Sequence, residues 1–254
     1  MTDTLTFPEQ GIALLQVKRP EVRNALDWQA MHAFAACVEQ AQAMTTLQAL
    51  VVTGSEKAFI AGGDVKVLAA YPRIEDGARL SSLMSQALSQ LEALACPTIA
   101  AMNGPARGGG TEIALACDLR VMDRQADFGF VQVKMGLTPG WGAGQRLLRL
   151  VGYGRAFEWL ATGKILSAQE AYDCGLANRI TPPGEALETA LELADTIASY
   201  PIDTIRAIKR LLRGGLSLQA SMAASIEQAE FPPLWAANEH LQAVERFLNR
   251  KNQE

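Results

Sequence analysis

Two glycine-rich segments and one carboxylate stand out as groups able to do chemistry. Phe59-Ile-Ala-Gly-Gly-Asp64 lies just past an apolar run, and its paired glycines allow backbone geometry closed to other residues, so that an amide N–H can turn into a cleft. The same segment also reads as a plain turn into a helix, with Asp64 as its cap. Asn103-Gly-Pro-Ala-Arg-Gly-Gly-Gly-Thr-Glu112 joins a strand to a helix through a glycine run. Free N–H groups at such a helix start, together with the helix dipole, suit an anion or an oxyanion. Glu112 falls in the first turn of that helix, and the residues after it, Ile113 to Cys117, are almost wholly apolar. A buried carboxylate there either satisfies orphan N–H groups or works as an acid or base, because burial raises its pKa while the helix start lowers it.

Other chemistries are excluded by spacing. No Lys-Ser or Lys-Thr follows the glycine run, so it is no phosphate loop. Gly140, Gly142 and Gly144 superficially resemble a dinucleotide fingerprint, but they follow Pro139 rather than a strand and the final spacing is wrong. No Gly-x-Ser-x-Gly elbow exists for a serine hydrolase. His32 and His240 have no second ligand at metal spacing, and Cys37, Cys96, Cys117 and Cys174 are scattered in apolar contexts, which predicts reduced thiols and no metal site.

The elements that must position these groups alternate. Residues 5–7 and 12–17 read as a hairpin. Trp28, Met31, Phe34, Val38 and Ala41 recur at helical spacing and predict a helix over 27–44. Strands are expected at 49–53, 98–102 and 119–122, with a helix through 80–94 and another opening at Gly108-Gly109-Gly110. The rhythm implies an α/β body with parallel pairing. From about residue 185 only helices are expected, at 185–199, 202–213, 217–229 and 238–249. This gives a core over 1–195 and a helical region over 196–254 for oligomerisation and cover of the site.

The 254 residues are 49% apolar and 20% charged, with 23 basic and 27 acidic side chains and a net charge of −4. Without a basic block, nucleic acid and anionic membrane are not expected partners. No apolar run reaches the ~18 residues of a membrane span, and no targeting segment is evident at the N-terminus, so a cytoplasmic protein is expected.

Taken together, Val17-Lys-Arg-Pro-Glu-Val-Arg-Asn-Ala-Leu26, Lys57 to Asp64, Ala100 to Asp118 and Pro139 to Leu147 resemble the crotonase (enoyl-CoA hydratase/isomerase) superfamily along nearly the whole chain. The resemblance implies a spiral of ββα repeats, a C-terminal helical trimerisation region, homotrimers or dimers of trimers, and an acyl-CoA substrate with no separate cofactor. It implies an oxyanion hole at the amides of Gly63 and Gly109, which would hold a thioester oxygen as it becomes an enolate. Arg23 lies in the segment that lines the coenzyme A groove. Ala61, Asp64 and Trp141 complete the expected substrate-binding set, although Trp141, Phe130 and Trp235 read equally as plain core. Hydratases of the superfamily carry two glutamates. Glu112 matches the first, but Gln132 stands where the second falls, and an amide cannot exchange a proton. Phe130 to Gly142 and Leu234 to Asn238 look like the ethylmalonyl-/methylmalonyl-CoA decarboxylase branch, where loss of CO2 yields the same enolate and needs only a proton donor afterwards. Decarboxylation of a malonyl-type thioester is therefore the leading expectation. A hydratase or isomerase using Glu112 with Gln132, or a catalytically weak CoA-thioester-binding protein, are the alternatives.

Overall fold

The computed structural model describes residues 4–9, 11–217, 220–240, 242 and 243. The chain opens with β1 (Thr4–Glu9) and β2 (Ile12–Val17), followed by α1 (Trp28–Ala43) and β3 (Ala49–Gly54). Then come α2 (Val65–Leu68), α3 (Ile74–Ala93), β4 (Thr98–Met102), β5 (Ala106–Arg107), α4 (Gly109–Ala116) and β6 (Leu119–Asp123). After β7 (Asp127–Gly129) and a 3-10 turn at Val131–Met135 lie α5 (Ala143–Val151), α6 (Tyr153–Thr162), β8 (Ile165–Ser167), α7 (Ala168–Asp173) and β9 (Arg179–Thr181). The chain continues through α8 (Ala186–Ala198), α9 (Ile202–Ser217) and α10 (Ala220–Trp235).

Six strands form one sheet in the order β1-β2-β3-β4-β6-β9, antiparallel only at the β1–β2 hairpin. A smaller sheet, β5-β7-β8, stands beside it. Every residue of β3 and β4 is buried, which is why these strands read as continuous apolar runs rather than alternating ones. On one face Leu15, Leu50 and Val52 pack with Phe34 of α1, Leu88 of α3 and Ile113 of α4. On the other, Ile12, Val51, Ile99 and Val121 lie under Ala190 and Ala194 of α8. The expected boundary at 195/196 thus falls inside a helix that covers the sheet.

Several elements begin or end where local capping dictates. Asp27 caps α1 by accepting from the Ala30 amide at 2.9 Å. Helix α3 starts six residues before the expected Leu80, where the Asp76 carboxylate accepts from the amide and the guanidinium of Arg73. Helix α10 runs on to Trp235 through Pro232 and Pro233, past the expected end at 229. The expected helix at 238–249 lies mostly outside the described residues; 238–240 are helical.

Two buried cations fasten the frame. Arg120 makes no salt bridge among the described residues; its guanidinium donates to the carbonyls of Leu176 (2.5 Å), Cys117 (2.8 Å), Asp118 (3.3 Å) and Ala114 (3.4 Å). It therefore sits at the negative C-terminal end of α4, where a cation is favoured. Lys209 of α9 donates to the Cys96 carbonyl (2.8 Å) and to Asp118 Oδ2 (2.7 Å), tying the helical region to the sheet.

Candidate active site

The first wall of the site is built by Arg19 to Asp27. Arg23 and Asn24 adopt left-handed backbone, with φ 55° and 59°. The Asn24 side chain, fully buried, donates from Nδ2 to the carbonyls of Ser55 (2.9 Å), Ala58 (2.9 Å) and Phe59 (3.1 Å). Its Oδ1 accepts from the Arg19 amide and from Ser55 Oγ. The segment 59–64 is then laid against 23–26: Ala61 N donates to Arg23 O (3.2 Å), Leu26 N to Gly62 O (2.7 Å), and Asp64 N to Leu26 O (2.8 Å). Because both neighbours of Gly63 bond Leu26, its own N–H faces the opposite side, where it has no acceptor among the described residues.

The second wall is the start of α4. Arg107, paired with Asp127 through both guanidinium nitrogens, holds β5 on β7, and Gly108 N donates to Gly129 O at 3.1 Å. Gly109 is the first residue of α4, so its N–H is one of the orphan donors of the helix start. The two walls touch: a Cβ on Gly62, whose φ is +88°, would stand 2.9 Å from the Gly109 nitrogen. Glycine is needed at 62 on both counts. Gly63 and Gly109, whose amides have no acceptor among the described residues, thus lie on the two walls where these meet.

Glu112 lies one turn into α4 and is only 2% exposed. Its Oε1 accepts from Gly140 N (3.2 Å) and Gln132 Nε2 (3.3 Å); its Oε2 accepts from Trp141 N (2.8 Å) and Ala143 N (3.0 Å). Burial pushes this carboxyl above the ordinary range, and the three backbone amides and Gln132 offset part of that rise. Gln132 comes from the 3-10 turn at Val131–Met135. Its amide oxygen is buried without a partner, an acceptor facing the carboxylate's surroundings.

Gly63, Gly109, Glu112, Gln132 and Trp141 are therefore assembled in one place, with Ala61 at the margin. Arg23 joins through its carbonyl, while its side chain is exposed. Asp64 is turned elsewhere: its Oδ1 caps α2, accepting from Lys66 N (3.2 Å) and Val67 N (3.4 Å), with Arg19 3.8 Å from Oδ2. Sequence reasoning missed Asn24 and the 140–143 loop as partners. The signal was present in the Gly140-x-Gly-x-Gly144 run, set aside as a failed dinucleotide motif; its amides form a nest for the side chain of Glu112 rather than for a phosphate.

Two backbone amides without an acceptor among the described residues thus lie near one buried carboxylate. The enoyl-CoA hydratase/isomerase family pattern matches residues 8–254, and the chain belongs to that family. It is 32% identical over 252 residues to the short-chain-enoyl-CoA hydratase of Clostridium acetobutylicum, covering 99% of this chain and 96% of the relative. It is 33% identical over 253 residues to the 2,3-dehydroadipyl-CoA hydratase of Escherichia coli, covering 99% and 97%. Among solved structures, an enoyl-CoA hydratase from Bacillus anthracis superposes with a TM-score of 0.92 at 29% identity, over 98% of this chain and 96% of that one. The mixed α/β crotonase fold is thereby established. The decarboxylase branch gains no support from these relatives, which bear hydratase names; the short stretches 130–142 and 234–238 were too little to carry that distinction.

Proposed function

We propose that the protein hydrates an enoyl-CoA thioester, with Glu112 as the single proton-transfer group and Gln132 as its positioning partner. The observation that carries this reading is the Glu112–Gln132 pair: a buried carboxylate with one amide hydrogen on it at 3.3 Å and that amide's oxygen left without a donor. The unpaired Gln132 Oε1 suits one hydrogen of a water molecule, and Glu112 the other. As the water oxygen bonds to the β-carbon of the enoyl group, its proton passes to Glu112. The π electrons move onto the thioester oxygen, where the Gly63 and Gly109 amides hold the negative charge. Glu112 then returns the proton to the α-carbon, so that H and OH are added and the carboxylate is regenerated. The raised pKa of Glu112 suits a group that must both take and give a proton.

The expected homotrimer or dimer of trimers is supported by exposed apolar side chains on α5, α6 and α9, among them Leu150, Phe157, Leu212 and Leu216. A largely apolar groove of about 430 Å³ between α5 and α9 adjoins them and shares no residue with the site above.

Loss of the conjugated enoyl absorbance of crotonyl-CoA, compared with CO2 release from methylmalonyl- and ethylmalonyl-CoA, tests the reading. Hydration without decarboxylation is expected. CO2 release that outpaces hydration would overturn it.

A further inference from the structure

We infer that Trp141 sets the length of acyl chain the site admits, closing the chamber beside the oxyanion amides so that short acyl groups are preferred. This rests on the acyl-CoA reading above and narrows its substrate class. The observation is a contact that no motif announces. A Cβ built on Gly109 would overlap Cε3, Cζ3 and Cη2 of the Trp141 indole, so the six-membered edge of that ring covers the α-carbon of the residue expected to donate to the thioester oxygen. The same residue's N–H is the shortest bond to Glu112, 2.8 Å. Trp141 therefore touches both groups between which the reacting carbons must lie.

The ring has little freedom to retreat. It is 5% exposed. Its carbonyl accepts from Arg146 Nη1 at 2.8 Å, and Arg146 is in turn held by Glu92 at 3.0 Å. The preceding carbonyl, Gly140 O, accepts from Ser81 Oγ (2.6 Å) and Ser85 Oγ (3.1 Å) of α3. Leu68 bounds the other side, its Cδ1 lying 2.7 Å from where a Cβ on Gly63 would stand. With the thioester oxygen on the two amides, proton transfer requires the α- and β-carbons to approach Glu112 to about 3 Å or through one water. Carbons beyond them then meet a fixed indole rather than open space, and a packed interior does not yield to added methylenes without strain.

The test compares binding of butyryl-CoA and octanoyl-CoA, which are saturated and unreactive, by titration calorimetry with the wild type, Trp141→Ala and Trp141→Leu. Hydration of the four- and eight-carbon enoyl-CoA substrates is measured alongside. The wild type should favour the four-carbon thioester by about tenfold or more, the scale on which apolar pockets discriminate by size. In the variants that ratio should shrink or invert. Trp141→Leu, which keeps an apolar filler, decides the matter if the alanine variant does not bind free coenzyme A. Equal binding of both lengths by the wild type, or an unchanged ratio in the leucine variant, would overturn the inference. A length preference in binding with no hydration at either length keeps the chain-length role and refutes the hydratase reading. Equal hydration at both lengths does the reverse.

Discussion

Replacing Glu112 by glutamine preserves shape and removes the charge and the exchangeable proton site. The glutamine amide must face one of two donor pairs. Placed at Oε2 it would orphan the Trp141 and Ala143 amides together. Placed at Oε1 it faces Gly140 N and Gln132, and Gln132 can rotate to offer its unpaired oxygen, which leaves the Gly140 N–H without an acceptor and turns the Gln132 NH2 into the buried place its oxygen held. The fold should therefore lose about 2–4 kcal/mol, since stranding one buried donor costs about 1–3 kcal/mol and a second amide group is left poorly paired. Turnover should fall far more, roughly a hundred- to ten-thousand-fold for a lost general acid–base. That corresponds to about 3–5 kcal/mol of barrier. Affinity for butyryl-CoA should stay within about threefold, since the amides that bind the ground-state carbonyl are untouched. The assays are crotonyl-CoA turnover, calorimetric binding and a thermal melt. The pH profile adds a second check. Glu112 must be ionised to accept the proton of water, and burial raises its pKa, so kcat/KM of the wild type should fall on the acid side above the range of an ordinary carboxylate. The stability sign runs the other way. The folded chain binds this proton more readily than the unfolded one, so the contribution of Glu112 to stability is present below the unfolded pKa and is lost as pH rises through the raised folded value. Unchanged turnover in Glu112→Gln, or substrate binding lost in proportion to turnover, would refute the assigned role.

Gln132→Glu should place a second carboxyl within about 3.3 Å of the first and share one proton between them, raising hydration and shifting the acid limb of the rate profile to higher pH; a slower enzyme with an unmoved profile contradicts this. Asn24→Ala should destabilise the fold by about 3 kcal/mol or more, since it strands buried backbone groups at about 1 kcal/mol or more each and forces alanine into left-handed backbone. Denaturant titration measures this, and a loss below about 1 kcal/mol would contradict the clamp. Lys209→Met should cost about 3 kcal/mol, the low end for breaking a buried pair because Asp118 keeps Thr98 and some solvent. Limited proteolysis should then open α9 before the sheet.

Much of the scaffold was legible because burial leaves a period. Residues 49–53 and 98–102 are apolar but for Thr53 and Thr98 because both faces of their strands are covered, and α1 shows one covered face through Met31, Phe34, Val38 and Ala41. The short strands β5, β7, β8 and β9 were not, since two or three residues carry no period. In the site, the two glycine segments and Glu112 stood out by glycine placement and by a carboxylate opening an apolar helix, while the choice of Gly63 and Gly109 within them came from the family resemblance. What Glu112 touches was not readable. Its three amide partners lie 28 to 31 residues away in a loop, and loop approach is set by tertiary packing, here through Ser81, Ser85 and Arg146. Asp64 shows the opposite case, where the simple local reading as a helix cap describes what its carboxylate does.

The buried guanidinium of Arg120 has a consequence for the timescale on which the site can open. It ties the end of α4, through the carbonyls of Ala114, Cys117 and Asp118, to that of Leu176 ahead of β9, while Gly109 opens the other end of this eight-residue helix, which is about 12 Å long. Gly109 therefore belongs to a rod anchored at its opposite tip, whereas Gly63 is carried by the 59–64 segment laid against Leu26. Moving Gly109 requires lifting the helix from the core, so amide exchange in the hydrogen-bonded last turn of α4 should follow the rare, large-scale openings of the molecule rather than the fast flicker of its surface turns. Such a catalyst spends its time waiting for substrate with its dipoles already aimed.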